Sequence, residues 1–108
     1  MLQIGKMYLV KEYFWYVFPT KKVADRVQAV WWSMGAVVAC GRSVGAWRNA
    51  KVLSEDYNCN VFVVEPKTCF VLLEMDEAQH CYKLLDCNGN IGWIICRDFS
   101  NYFELVKE

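Results

Sequence analysis

"CYKLLDCNGNIGWIIC", residues 81–96, decides how the rest of the chain is read. Asn88-Gly89 is the preferred pair for a two-residue type I′ turn, and apolar runs flank it on both sides. His80 to Cys87 and Asn90 to Cys96 are therefore expected to form an antiparallel hairpin. A two-residue turn puts Cys87 opposite Asn90, Leu84 opposite Trp93, Tyr82 opposite Ile95 and Cys81 opposite Cys96. The expected core face is then Tyr82, Leu84, Ile91, Trp93 and Ile95. Cys81 and Cys96 become neighbours on the opposite face, at a separation that permits a disulfide. One extra residue in the turn would undo this register.

Outward from the hairpin the pattern stays β. Val61 to Glu65 reads as a strand stopped by Pro66, and Phe70 to Glu74 as the next, with "MDEAQ" as the connection to the hairpin. Phe103 to Val106 is a short last strand. At the other end, Ile4 to Val10 reads as a first strand, interrupted by Lys11 and Glu12. The aromatic run Tyr13 to Phe18 follows and is apolar on both faces. Its rings fit a strand that is core on one side and packed against a neighbour on the other, better than a solvent-facing stacking platform. Pro19 ends that strand and Thr20 can cap a helix. Val23, Val27, Val30 and Trp31 recur at helical spacing, which predicts an amphipathic helix from about Lys21 to Trp32. Between Ser33 and Asn60 the pattern is weaker: "MGAVVACG" fits a buried strand and "GRSVGAWRNAK" a loop with Gly41 and Gly45 as breakers. Residues 1–108 thus read as a single small-barrel domain: mainly β, strongly bent, five- to six-stranded, with one α-helix.

The composition narrows the function classes. The chain is 56% hydrophobic and 16% aromatic in only 108 residues, so part of that apolar surface is expected to be covered by another copy or a partner. The net charge is zero, which removes the broad positive field of a nonspecific nucleic-acid binder. Any such binding must come from local clusters of the 12 Lys and Arg residues. No apolar run approaches a membrane span and the start lacks a secretory pattern, so a cytoplasmic protein with reduced thiols is expected, in the host cytoplasm if viral. The alternative, an exported domain with three disulfides, allows 15 pairings of the six cysteines.

No catalytic or metal chemistry stands out. There is no C-x-x-C pair and His80 is the only histidine, so neither a metal nor another cofactor is expected. Free cysteines serve readily as small buried hydrophobes. His80 and Cys81 are adjacent on a strand and point to opposite faces. "GRSVG" lacks the features of a phosphate loop. The chain is not expected to be an enzyme. A nucleic-acid surface has better candidates. Arg42, Trp47, Arg48 and Lys51 gather in the middle loop, where the Trp47 ring and Arg48 guanidinium can stack on bases and Arg42 and Lys51 can meet phosphate. Lys21 and Lys22 on the helix, and Asn88 and Asn90 at the hairpin turn, complete the candidates; Asn88 also has a purely geometric reason to be in a turn.

Two resemblances bear on this reading. "VVEPKTCFVLLE" followed by "CYKLLDCNGNIGWI" resembles the bacterial Src-homology-three-like pattern. Its marks are a strand ending in Leu-Glu, Tyr82-Lys83-Leu84, the Asn88-Gly89 turn and Gly92-Trp93-Ile94. This resemblance implies a small barrel that binds peptides or cell-wall material. "IGKMYLVKEYFWYVFPTKKVA" resembles a family of short Sm-like small-barrel proteins of marine cyanophage origin. That resemblance implies homo-oligomeric rings of about five to seven copies, joined through edge strands, and RNA or DNA binding. The Asp-x-apolar-x-Asn loop and the later Arg-Gly of Sm proteins are missing, with Arg97 followed by Asp98, so no RNA-contact residue is carried over from the family. The leading expectation is a ring-forming Sm-like protein that binds RNA or single-stranded nucleic acid and serves RNA or DNA processing. The alternatives are a peptide- or protein-binding module and a self-assembling structural protein. A peptide binder should show an exposed aromatic groove on the single chain.

Overall fold

The computed structural model describes residues 2–25, 40–41 and 62–107. Within them the chain is mainly β. The strands are β1 (Met7–Val10), β2 (Phe14–Val17), β3 (Cys40–Gly41), β4 (Phe62–Val64), β5 (Cys69–Asp76), β6 (Cys81–Asp86), β7 (Ile91–Ile95) and β8 (Phe103–Leu105). They form a five-stranded antiparallel sheet in the order β7-β6-β5-β1-β8 and a three-stranded sheet in the order β3-β2-β4. The small bent β fold expected from the sequence is present, but as two sheets rather than a closed barrel among the described residues. The five-stranded sheet bends at β5, where a register shift between Leu72 and Glu74 leaves Leu73 as an extra residue.

The sheets meet where β2 ends. Phe18 forms an antiparallel bridge with Trp93 of β7, each N–H donating to the other's carbonyl at 2.7 Å. This contact explains Gly92. A Cβ there would lie 2.7 Å from the Phe18 carbonyl oxygen and 2.6 Å from a Val17 methyl, so no larger residue lets β2 seat on β7.

The aromatic run behaves as its two apolar faces require: Trp15, Tyr16, Val17 and Phe18 are all buried. Behind β1 and β5 the core is aromatic. The Phe99 ring stands edge-on to Tyr8 at 5.1 Å and packs on Tyr82 and Phe103 at 4.7 Å each. Phe70 meets Phe103 edge-on at 5.2 Å. Such edge-to-face pairs suit the ring quadrupoles. The helix begins where expected: residues 21–25 are helical and the Thr20 hydroxyl accepts the Val23 N–H at 3.2 Å. Its expected continuation to Trp32 lies outside the described residues. A short helical turn, Phe99–Tyr102, and a 3-10 turn, Glu77–Gln79, were not anticipated from the sequence.

The hairpin forms, but in a different register. The pairs are Leu85–Ile91, Leu84–Gly92, Lys83–Trp93, Tyr82–Ile94 and Cys81–Ile95. The Asp86 N–H donates to the Asn90 carbonyl, so Cys87, Asn88 and Gly89 form a three-residue loop. Gly89 has φ +84° and Asn88 is not in the left-handed region, whereas a type I′ turn needs both positive. The cause is Asp86. Its buried carboxylate accepts the backbone N–H of Asn88 at 2.9 Å and of Asn90 at 2.8 Å, which a two-residue turn would not offer. The shift divides the expected core face. Tyr82 and Leu84 share the core with Ile94, while Ile91 is exposed and Trp93 half-buried on the other face. Cys81 and Cys96 are not partners either. The Cys96 N–H donates to the His80 carbonyl, and both cysteines are buried with neither in a disulfide.

Candidate functional site

The expected nucleic-acid residues divide sharply. Arg42, Trp47, Arg48 and Lys51 lie outside the described residues. Lys21 and Lys22 sit near the start of β6 and Asn88 and Asn90 beyond its end.

Lys21 is engaged within the fold. Its ammonium lies 3.2 Å from Asp25 and 3.0 Å from Asp76. These bonds raise its pKa and lower that of Asp76, the Lys21–Asp76 hydrogen bond being the largest cause for both. Cys81 joins the same cluster, its thiol donating to the other Asp25 carboxylate oxygen at 3.4 Å. Burial first, and then the Asp25 hydrogen bond, push this thiol from 9.0 up to about 12. Cys81 is therefore a protonated structural donor and a poor nucleophile. Lys22 is exposed on the helix. The Asn90 side-chain amide donates to Asp86 at 3.2 Å, and Asn88 serves the turn. Among the described residues, no three His, Cys, Asp or Glu side chains are grouped to hold a metal. None of the helices there is long and apolar enough to cross a membrane.

A surface that sequence reasoning missed lies between the end of β1 and β8. Tyr13 and Tyr102 are both half-buried, with ring centroids 5.8 Å apart and planes at 60°. Trp15 backs Tyr102 at 5.2 Å, with its indole N–H donating to the Glu12 carbonyl. Tyr13 has φ +69°, a left-handed conformation that is unfavourable for a bulky side chain. The Lys11 N–H donates to the Tyr102 carbonyl at 3.1 Å, tying the bend before β2 to the helical turn before β8. Lys11 also lines a groove of about 450 Å³ with Tyr8, Ser100, Phe103, Glu104 and Leu105. Neither Tyr13 nor Tyr102 lines the groove, and Lys11 links the two features through its backbone bond to Tyr102. β8 flanks the groove, and among the described residues it pairs only with β1. The sequence signal is "FSNYFEL", residues 99–105, of which only Phe103 onward reads as part of a strand.

The outer face of the five-stranded sheet carries a second surface. The pairings Met7–Val71, Val71–Leu85 and Leu85–Ile91 place these four side chains in one cross-strand row. The Val106 N–H donates to the Met7 carbonyl and extends the row beyond β8. Met7, Ile91 and Val106 are exposed.

Comparison of the chain with family models, with curated proteins and with solved structures finds no match.

Proposed function

We propose that this protein is a peptide-binding module of the Src-homology-three-like kind, which takes an extended segment along β8 and anchors it on Tyr13 and Tyr102. The observation that carries the reading is the Tyr13–Tyr102 pair, held beside a groove by a backbone conformation that works against a tyrosine. Strain of this kind collects where a side chain must be presented in a set direction. Aromatic-lined grooves receive proline-rich segments, whose polyproline helix is already formed and loses little entropy on docking. The sequence resemblance adds support: the strand carrying Leu73-Glu74, the Tyr82-Lys83 strand, the Asn-Gly turn and the Gly92-Trp93 strand are consecutive parts of one meander, β5–β6–β7.

The test is titration of the isotope-labelled protein with a proline-rich decapeptide. Amide shifts are expected at Lys11, Tyr13, Ser100, Tyr102 and Glu104, and Tyr102→Ala should abolish them. Tyr13→Asn removes the ring while keeping a residue that tolerates positive φ, so it should keep the fold and lose the binding. Absence of shifts at millimolar peptide would reject the reading.

Self-association is a second reading, favoured by the outer apolar row. It predicts an oligomer by light scattering that Met7→Glu dissolves; a monomer would remove it. The nucleic-acid reading rests on the composition of residues 42–51. It requires a salt-sensitive shift of oligo-U that Arg48→Ala weakens.

A further inference from the structure

Cys69, Cys81, Cys87 and Cys96, none of them in a disulfide, fall into two classes. Cys81 and Cys96 are buried, whereas Cys87 is exposed and Cys69 half-buried. The register brings the accessible two together. Phe70 pairs with Asp86, so one step further out Cys69 of β5 faces Cys87, the first residue of the hairpin loop. The Asp86 N–H points to β7, where it bonds Asn90. Alternation along the strand then turns the backbone groups of Cys87 toward β5. Opposed residues of that type have Cα atoms about 5.5 Å apart, inside the range of about 4.4–6.8 Å that a disulfide spans. Both positions fall on the outer face, Cys69 sharing it with its register partner Leu9. Each cysteine is also held by its neighbours. The Asp86 carboxylate pins the loop that begins at Cys87. Thr68, next to Cys69, donates its hydroxyl to the Glu65 carbonyl at 2.6 Å.

We infer that Cys69 and Cys87 form a surface dithiol that closes to a cross-strand disulfide by exchange with a small disulfide such as oxidised glutathione. The Cys87 thiolate attacks one sulfur of glutathione disulfide, forming a mixed disulfide and expelling one glutathione thiolate. The Cys69 thiolate then attacks the Cys87 sulfur and expels the second. The two protons released from the cysteines end on the two glutathiones, so two protein thiols are oxidised as one glutathione disulfide is reduced. The Cys81 thiol, buried and hydrogen-bonded to Asp25, takes no part.

The test is incubation of the reduced, folded protein with oxidised glutathione, followed by alkylation and peptide mapping. The expected product has lost about 2 Da and contains a peptide linking Cys69 to Cys87, with Cys81 and Cys96 neither glutathionylated nor linked. Cys69→Ser or Cys87→Ser should each abolish the link and leave the remaining cysteine as a glutathione mixed disulfide. The inference is overturned if both cysteines of the parent protein stop at mixed disulfides, if neither reacts, or if either links to Cys40 or Cys59 instead.

Discussion

At its C-terminal end, β6 runs into a loop where one buried carboxylate, Asp86, collects two backbone N–H groups and the Asn90 amide. At its N-terminal end, Cys81 donates to Asp25, 56 positions earlier in the chain, and Asp25 shares Lys21 with Asp76. Both are polar clusters on the same strand, yet they hold the fold differently. The Asp86 contacts are short-range and shielded from water, so they set a register. The Lys21 pairs are open to solvent and screened by salt, so they add little, while the buried thiol beside them makes that end sensitive to alkali.

The largest expected effect tests whether the hairpin end also seats the second sheet. Gly92→Ala forces a Cβ against the Phe18 carbonyl, and a loss of about 3 kcal/mol is expected in urea unfolding. A change below about 1 kcal/mol would mean that β2 moves aside easily. Asp86→Ala comes next. It leaves two loop N–H groups without their acceptor and should lose about 2 kcal/mol, whereas Asp86→Asn keeps a carbonyl acceptor and should lose much less.

The folded Cys81 thiol holds its proton up to about 12, while in the unfolded chain it ionises near 9.0. Stability from this group is therefore complete below 9.0 and falls as pH rises toward about 12. Tyr82, raised by burial from 10.0 to about 12, acts in the same direction. Urea midpoints at neutral pH and at about pH 10 should show the decline, and Cys81→Ala should flatten it. An unchanged slope in that variant would place the alkaline sensitivity elsewhere.

The smallest effect belongs to the ion pairs. Lys21 favours folding below 10.5 and loses this contribution as pH rises past its raised pKa. Asp76 favours folding above 3.8 and loses it as pH falls through its lowered pKa. Lys21→Gln should shift the urea midpoint only slightly, and molar salt should erase the difference from the parent. A large, salt-insensitive loss would make this cluster as structural as the Asp86 loop.

Local features were legible in advance for physical reasons. Thr20 caps its helix because a hydroxyl one residue before the first turn meets an unpaired N–H wherever the helix packs. Trp15 to Phe18 are buried on both sides because neither face of that run carries a charged group. The candidate site was less visible. Tyr13 and Tyr102 are 89 positions apart, and nothing local to either indicates that the bend before β2 and the helical turn before β8 adjoin.

The hairpin shows where the boundary lies. "DCNGN" by itself determined that the chain reverses between two strands, because Gly89 takes a positive φ at little cost and apolar runs stand on both sides. It did not determine the register, since a two-residue and a three-residue loop both suit Asn-Gly. The tertiary structure decided that point. With Asp86 buried, its carboxylate needs the Asn88 and Asn90 N–H groups, and with β2 pressed on β7, only Gly92 fits beside Phe18. Both demands require the longer loop. A slip of one residue changes which side chains meet but leaves the local pattern of strand, turn and strand intact, so only contacts from elsewhere in the chain can choose between the two registers.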